Sequence, residues 1–147
     1  MKTIAGRKLK YLDYLRKFPD CPCATEYKEV TMDAYRWEKD PMDETAFLPL
    51  NIIKTPPQRV LDENDLMCKG YGLSMFSSLA LAAAKYRKLI DKFRSAERER
   101  KQEEYGSKIA LLGLDKEDGL KGDHHSSSGH FTFHEYEGVD LQSKTNI

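Results

Sequence analysis

Apolar residues recur at helical spacing in two segments of the chain, and each segment predicts an amphipathic helix. The first covers residues 3–18 and ends before Pro19, which cannot continue a helix. The second begins at a serine cap, Ser77 or Ser78, and continues to about residue 93. Its apolar stripe consists of Leu79, Ala83, Tyr86, Ile90 and Phe93, which we expect to be buried.

Four other segments have the composition or the alternation of β-strands. Residues 27–37 alternate apolar and polar side chains, and residues 71–76 and 107–114 are short, strongly apolar runs. Residues 130–136 alternate Phe131 and Phe133 with polar side chains, which predicts a last strand with an aromatic inner face.

These elements predict a small single α+β domain with three to four strands and one principal packing helix at about 77–93. The N-terminal amphipathic helix occupies residues 1–18, the α+β core residues 19–137, and a polar tail residues 138–147. Residues 38–57, which are rich in proline, predict a long irregular connection over the core. Residues 115–129 predict a mobile polar loop.

The composition excludes several classes of protein. The 147 residues are 39% hydrophobic and 33% charged, which is too polar for a membrane protein, and 10% are aromatic, too many for a disordered chain. No run approaches 18 apolar residues, so we expect no transmembrane helix. The basic N-terminus lacks the apolar core of a signal peptide. We therefore expect a cytoplasmic protein.

The charges are separated into blocks although the formal net charge is zero. Residues 1–18 and 85–108 are basic, whereas residues 19–84 and 109–147 are acidic. Such alternation is typical of complementary surfaces within a chain or of a charged partner surface. A nucleic-acid partner is disfavoured, because a dedicated DNA-binding protein is usually basic overall.

The cysteines and histidines do not form a recognisable metal motif. Three cysteines, Cys21, Cys23 and Cys68, argue against a full disulfide framework and fit a reducing compartment. His130 and His134 lie about 13 Å apart along a strand, at ~3.3 Å per residue, which is too far for a shared ion. We therefore predict no metal site.

Arg36 continues the inward face of the strand formed by residues 27–37. A buried guanidinium remains charged at any relevant pH and requires a partner. An internal acid such as Glu135 would make it structural, whereas the phosphate or carboxylate of a ligand would make it part of a binding site. Arg36 therefore marks the place in the chain at which a site should be sought.

Three short motifs resemble those of a family of small uncharacterised bacterial proteins. They are a Tyr-Arg strand at Tyr35-Arg36, a Gly-Leu-Ser-x-Phe strand at residues 72–76, and a Gly-His-Phe-Thr strand at residues 129–132. The similarity covers about residues 34–137. It implies an α+β core and implies no activity.

A more distant resemblance is to ADP-ribosyltransferases of the cholera-toxin type. These proteins carry an arginine on the first core strand, a serine in a second motif and a glutamate pair; Arg36, Ser74, Glu135 and Glu137 occur in that order here. The resemblance implies that Arg36 supports an NAD site and Ser74 shapes it. It also implies that the last glutamate stabilises the cationic transition state as nicotinamide leaves. Ser74 departs from the family because Met75 and Phe76, not threonine and serine, follow it.

Two classes of function remain open at the level of sequence. The first is a cytoplasmic binding or protein-interaction domain without a cofactor, whose partner is another protein, as in bacterial defence or toxin–antitoxin systems. The alternative is an NAD- or nucleotide-handling, ADP-ribosyltransferase-like enzyme with catalytic residues Arg36, Ser74, Glu135 and Glu137. A cleft lined by Arg36, Ser74 and Glu137 would favour the enzyme, whereas an Arg36 paired with a local carboxylate in a filled core would disfavour it.

Overall fold

A six-stranded antiparallel sheet forms the centre of the protein. The computed structural model describes residues 7–146. The strands are β1 (Met32–Glu38), β2 (Leu73–Phe76), β3 (Lys108–Leu114), β4 (Gly119–Lys121), β5 (His130–Glu135) and β6 (Thr145–Asn146). Their order in the sheet is β4-β5-β2-β1-β3-β6.

The expectation of three to four strands was therefore wrong. The two additional strands come from segments that were expected to be a mobile loop and a polar tail. β4 pairs with β5, and β6 pairs with β3. Strands of two or three residues are too short to show an alternating pattern. They form because they pair with a neighbouring strand, so the local sequence does not predict them.

Six α-helices and one 3-10 helix, not one principal helix, connect these strands within residues 7–146. They are α1 (Leu12–Leu15), α2 (Leu50–Ile53), α3 (Gln58–Leu61), α4 (Asn64–Lys69), α5 (Leu79–Ile90), α6 (Ser95–Tyr105) and the 3-10 helix Gln142–Lys144. In the part of the chain that the structure describes, none of them is long and apolar enough to cross a membrane.

Helix α5 begins where the sequence predicted. The Ser78 hydroxyl accepts a hydrogen bond from the Leu81 amide and so satisfies one free N–H of the first turn. The predicted stripe is only partly correct, because Ile90 is buried whereas Leu79 is 54% exposed. The helix buries Ala82 instead, and the carbonyl of that residue accepts a hydrogen bond from the Trp37 indole on β1. Leu79, the first residue of the helix, lies on the same side as Ile90 and is nevertheless exposed.

The N-terminal amphipathic helix was also predicted too long. Of the predicted span, residues 3–6 lie outside the described residues, and only Leu12–Leu15 are helical in the remainder. Leu9 instead forms a β-bridge with Tyr136, next to the end of β5. Leu9, Leu12 and Leu15 are buried, so burial against the sheet explains their spacing without a continuous helix.

A disulfide bond between Cys21 and Cys68 links the N-terminal segment to α4. The cysteine count had led us to expect reduced thiols. Disulfides persist mainly in oxidising compartments, so this bond weighs against the reducing compartment that we inferred. α4 is followed by β2 after only a short turn, and the bond therefore fixes the start of the strand that carries Ser74.

Candidate functional site

The strands β1 and β2 separate at one end of the sheet, and a cleft opens between them. Tyr35 and Phe76 are their one registered pair. Beyond this pair β1 continues alongside β3, while β2 continues alongside β5. We call the separating segments, residues 36–38 of β1 and residues 73–75 of β2, the strand fork. A cavity of about 670 Å³ lies at this fork.

Four parts of the chain contribute walls to the cleft. The strand fork provides the floor, the irregular segment 42–54 covers one side, α5 and α6 contribute side chains, and the first residue of β5 reaches in from the far strand. Lining residues that matter for its chemistry are Arg36, Trp37, Glu38, Ser74, Lys85 and His130. The proline-rich connection predicted for residues 38–57 thus covers the site.

Arg36 spans the strand fork. Its side chain is 13% exposed, as the inward register predicted. Its Nη1 donates to the Ser74 carbonyl at 2.9 Å and its Nη2 donates to the Ala46 carbonyl at 3.0 Å. The guanidinium therefore replaces the strand pairing that is lost where β1 and β2 separate, and it also holds the covering segment.

Glu38 is the acid that neutralises Arg36. Its Oε2 accepts a hydrogen bond of 3.3 Å from Arg36 Nε, two residues earlier on the same face of β1. Burial raises the pKa of the Glu38 carboxyl, and the adjacent guanidinium acts in the opposite direction. Gly106, which follows α6, helps to place Glu38: its φ is +89°, and a β-carbon there would overlap the main chain of Glu38.

Ser74 meets a histidine in the cleft. The Ser74 Oγ lies 3.0 Å from the Nε2 atom of His130. His130 is paired directly with Phe76, so it is the diagonal neighbour of Ser74 on the same face of the sheet. The His130 ring also contacts Phe76 edge to face at 5.5 Å. A hydroxyl and an imidazole thus share a hydrogen bond at an accessible position.

The environment of His130 favours its neutral form. Burial lowers the pKa of the imidazole, and electrostatic interactions with His125, Lys85 and Lys69 act in the same direction. A neutral imidazole has one ring nitrogen free to accept a proton. The pair is therefore arranged for proton transfer at neutral pH.

Aromatic and aliphatic side chains complete the walls. Trp37 stacks on Phe76 at 5.2 Å and contacts Tyr105 of α6 at 6.2 Å. All three aromatic side chains line the cavity. Leu50 and Ile53 are large apolar residues at its mouth and are 56% and 50% exposed. A mainly apolar cleft with a few convergent polar groups is typical of a small-molecule site.

The structure brings together two of the four candidate site residues. Arg36 and Ser74 line the cleft, whereas Glu135 and Glu137 do not. Glu135 is the last residue of β5, about 16 Å along the strand from His130 at ~3.3 Å per residue. It is buried and paired with Lys10 at 3.5 Å. Glu137 lies beyond the strand and contacts Lys8 at 3.6 Å.

Two residues of the cleft, His130 and Glu38, were not among the predicted site residues. The alternation of residues 130–136 puts the histidine among the polar side chains of the last strand, and the Gly-His-Phe-Thr motif implies no role for it. Only the pairing of Phe76 with His130 reveals that the histidine reaches Ser74. Glu38 had a local signal, because a residue two positions after Arg36 on a strand lies on the same face.

The described residues contain no group of three or more histidine, cysteine, aspartate or glutamate side chains that could hold a metal ion. Comparison with protein-family models, with curated proteins and with solved structures finds no match to this chain.

Proposed function

We propose that the cleft binds a dinucleotide of the NAD class and that the protein is an ADP-ribosyltransferase-like enzyme. The observation that carries this proposal is the meeting of Arg36 and Ser74 at the strand fork. They come from β1 and β2, and the resemblance in sequence implies an arginine on the first core strand and a serine in a second motif. The separation of these strands provides a concave site beside Arg36 and Ser74, whereas Glu137, the third residue expected in such a cleft, lies outside it and Arg36 is paired with the local carboxylate of Glu38.

The size and charge of the cleft support a nucleotide ligand. Its volume of about 670 Å³ falls within the roughly 300–1,000 Å³ usual for small-molecule sites. Three of the five N–H groups of Arg36 have partners among the described residues, so two are left for phosphate oxygens. The lining also contains the lysines Lys39, Lys54 and Lys85 and the carboxylates Glu38, Asp43 and Glu104, so with Arg36 its basic residues outnumber its acidic residues by one. Trp37 and Tyr105 offer aromatic surface to a planar ring.

The carboxylate of the site is assigned to Glu38. In the family that the sequence resembles, a glutamate opposes the positive charge that develops on the ribose as nicotinamide leaves. Glu135 and Glu137 lie outside the cleft, whereas Glu38 is buried at the strand fork beside Arg36. A carboxylate in such a site stabilises a cation more strongly than it does in water. Arg36 holds Glu38 in place and limits its protonation.

Binding is tested by fluorescence, because Trp37 is the single tryptophan of the chain and lines the cleft. Addition of NAD should change the emission of Trp37 in a saturable manner. Arg36→Lys keeps the charge and loses the planar fork of donors, so we expect an affinity at least about tenfold weaker. Arg87→Lys, on the exposed side of α5, is the matched control and should bind as the wild type does.

Chemistry is tested by the release of nicotinamide from bound NAD. Glu38→Gln preserves the shape of the side chain and removes its charge, so release should fall by about 10²-fold while binding changes little. The absence of any NAD-dependent change in Trp37 emission, together with the absence of heat in calorimetry, would contradict the proposal. The interaction domain first expected from the sequence would then be the better prediction.

A further inference from the structure

We infer that Ser74 and His130 form the proton-accepting pair of the cleft and that the nucleophile they serve is a neutral hydroxyl, with water as its smallest example. This inference rests on the proposed function and adds to it the class of acceptor. It assigns His130 a role that the sequence did not suggest. The Gly-His-Phe-Thr resemblance at residues 129–132 includes this histidine but implied no activity for it.

The geometry identifies the atoms that move the proton. Ser74 Oγ is 3.0 Å from His130 Nε2, within the range of a hydrogen bond that transfers a proton. Ser74 is exposed at the strand fork, while His130 is half-buried behind it against Phe76. The hydroxyl is therefore the accessible end of the pair and the imidazole is its base.

The charges around the pair select a neutral acceptor. Three positive or titratable groups act on His130, from three elements: Lys85 on α5, Lys69 on α4 and His125 on the loop before β5. A guanidinium or ammonium acceptor would be repelled by these groups, of which Lys69 is paired with Asp65 at 3.0 Å, and the imidazole offers no negative charge to hold it. The carboxylates that line the cleft are Glu38, Asp43 and Glu104. A hydroxyl is not repelled, and it needs a base because it must lose its proton when it attacks.

The proposed step balances in atoms and charge. The acceptor oxygen forms a bond to C1′ of the nicotinamide ribose as the C1′–N bond breaks. The electron pair of that bond leaves with nicotinamide, which departs neutral. The acceptor proton passes to Ser74 Oγ while the Ser74 proton passes to His130 Nε2, and the imidazolium later releases it to solvent. With water as acceptor, NAD gives ADP-ribose, nicotinamide and one proton.

The test separates chemistry from binding. NAD binding is followed by Trp37 emission, and nicotinamide release is followed in water, with added methanol, and with added agmatine as a guanidinium probe. His130→Asn should lower kcat by about 10²-fold and leave NAD affinity within about threefold.

Methanol should compete with water and yield a methyl ADP-riboside, whereas agmatine should yield no product. His124→Asn, at an exposed histidine outside the cleft, is the matched control and should behave as the wild type does.

The pH profile distinguishes proton transfer from a structural role. For the wild type, kcat should be level above neutrality and fall on the acid side, below the usual histidine pKa of ~6.5, because the surroundings of His130 lower its pKa. In His130→Asn this limb should change shape and move to lower pH, because only protonation of Glu38, whose pKa burial raises above that of an exposed carboxyl, would then remain to lower kcat. Lys85→Gln removes one positive neighbour and should move the limb to higher pH.

Several results would overturn the inference while the proposed function remains intact. They are faster transfer to agmatine than to water and a His130→Asn variant with unchanged kcat, whereas NAD binding without nicotinamide release in water or methanol would refute the proposed enzyme itself. The double variant Ser74→Ala/His130→Asn should lose no more kcat than the more impaired of the two single variants, because the two residues act on one proton. Additive losses of kcat would also overturn the inference. If a variant melts well below the wild type, Ser74→Thr, which retains a hydroxyl, replaces Ser74→Ala and should restore most of the rate. Failure of the wild type to bind NAD would instead refute the proposed function.

Discussion

The guanidinium of Arg36 donates a hydrogen bond of 2.9 Å to the main-chain carbonyl of Ser74 across the strand fork. In a continuous sheet that carbonyl would be paired with the main chain of β1. Where the two main chains separate, the side chain of Arg36 on β1 donates the hydrogen bond to that carbonyl instead. The sheet can thus open without leaving a buried carbonyl unpaired, which would be costly. Arg36 therefore both stabilises the fold and lines the cleft.

Arg36→Ala should destabilise the protein by about 3–5 kcal/mol, because it leaves the buried carboxylate of Glu38 without its cation. It also removes the donors to the Ser74 and Ala46 carbonyls. The free energy of unfolding is measured by urea titration at pH 7. Arg87→Ala, at an exposed position of α5, should change it by less than about 0.5 kcal/mol. If Arg36→Ala lowers the free energy of unfolding by less than about 1 kcal/mol, Arg36 does not stabilise the fold.

Removal of the Cys21–Cys68 disulfide should lower the free energy of unfolding by about 2–4 kcal/mol. The bond joins residues 47 positions apart, so it restricts the unfolded chain considerably. The double variant Cys21→Ser/Cys68→Ser is compared with the wild type by urea titration without reductant. Cys23→Ser, at the free cysteine, is the control and should lie close to the wild type. Non-reducing peptide mapping that recovers a Cys21–Cys23 or Cys23–Cys68 link would contradict the pairing.

His134 should make the protein less stable in mild acid. Burial lowers the pKa of its imidazole to about 4, well below the ~6.5 of an unfolded chain. Between these values the unfolded state binds more protons than the folded state, so the free energy of unfolding falls as the pH falls. The slope contributed by this residue reaches about 1.4 kcal/mol per pH unit.

The contribution of His134 is isolated by comparison with His134→Gln. Burial raises the pKa values of Glu38 and Glu135 in the folded protein, which gives these two carboxyl groups a slope of opposite sign. They are present in both proteins, so their effect cancels in the difference. Urea titrations between pH 4 and pH 7 should show a shallower acid decline for the variant. Equal slopes in the two proteins would mean that His134 is not buried in its neutral form.

The sequence by itself determined the parts of the fold that rest on local patterns. The apolar runs of β2 and β3 and the alternation of β5 identify these strands, because their side chains face a core on at least one side. The Ser78 cap fixed the start of α5. Strand alternation also placed Arg36 on the inward face. These features depend on residues a few positions apart, so the chain alone specifies them.

The tertiary structure alone decided the features that depend on distant partners. β4 and β6 exist because longer strands lie beside them, and the disulfide exists because the fold brings Cys21 to Cys68. His130 reaches Ser74 across 56 positions of sequence through the pairing of β2 with β5. No local pattern encodes the register of strands so far apart, because it is set by burial of the whole sheet. For the same reason, only the folded chain shows that the cleft contains Glu38 and His130 and not Glu135 and Glu137.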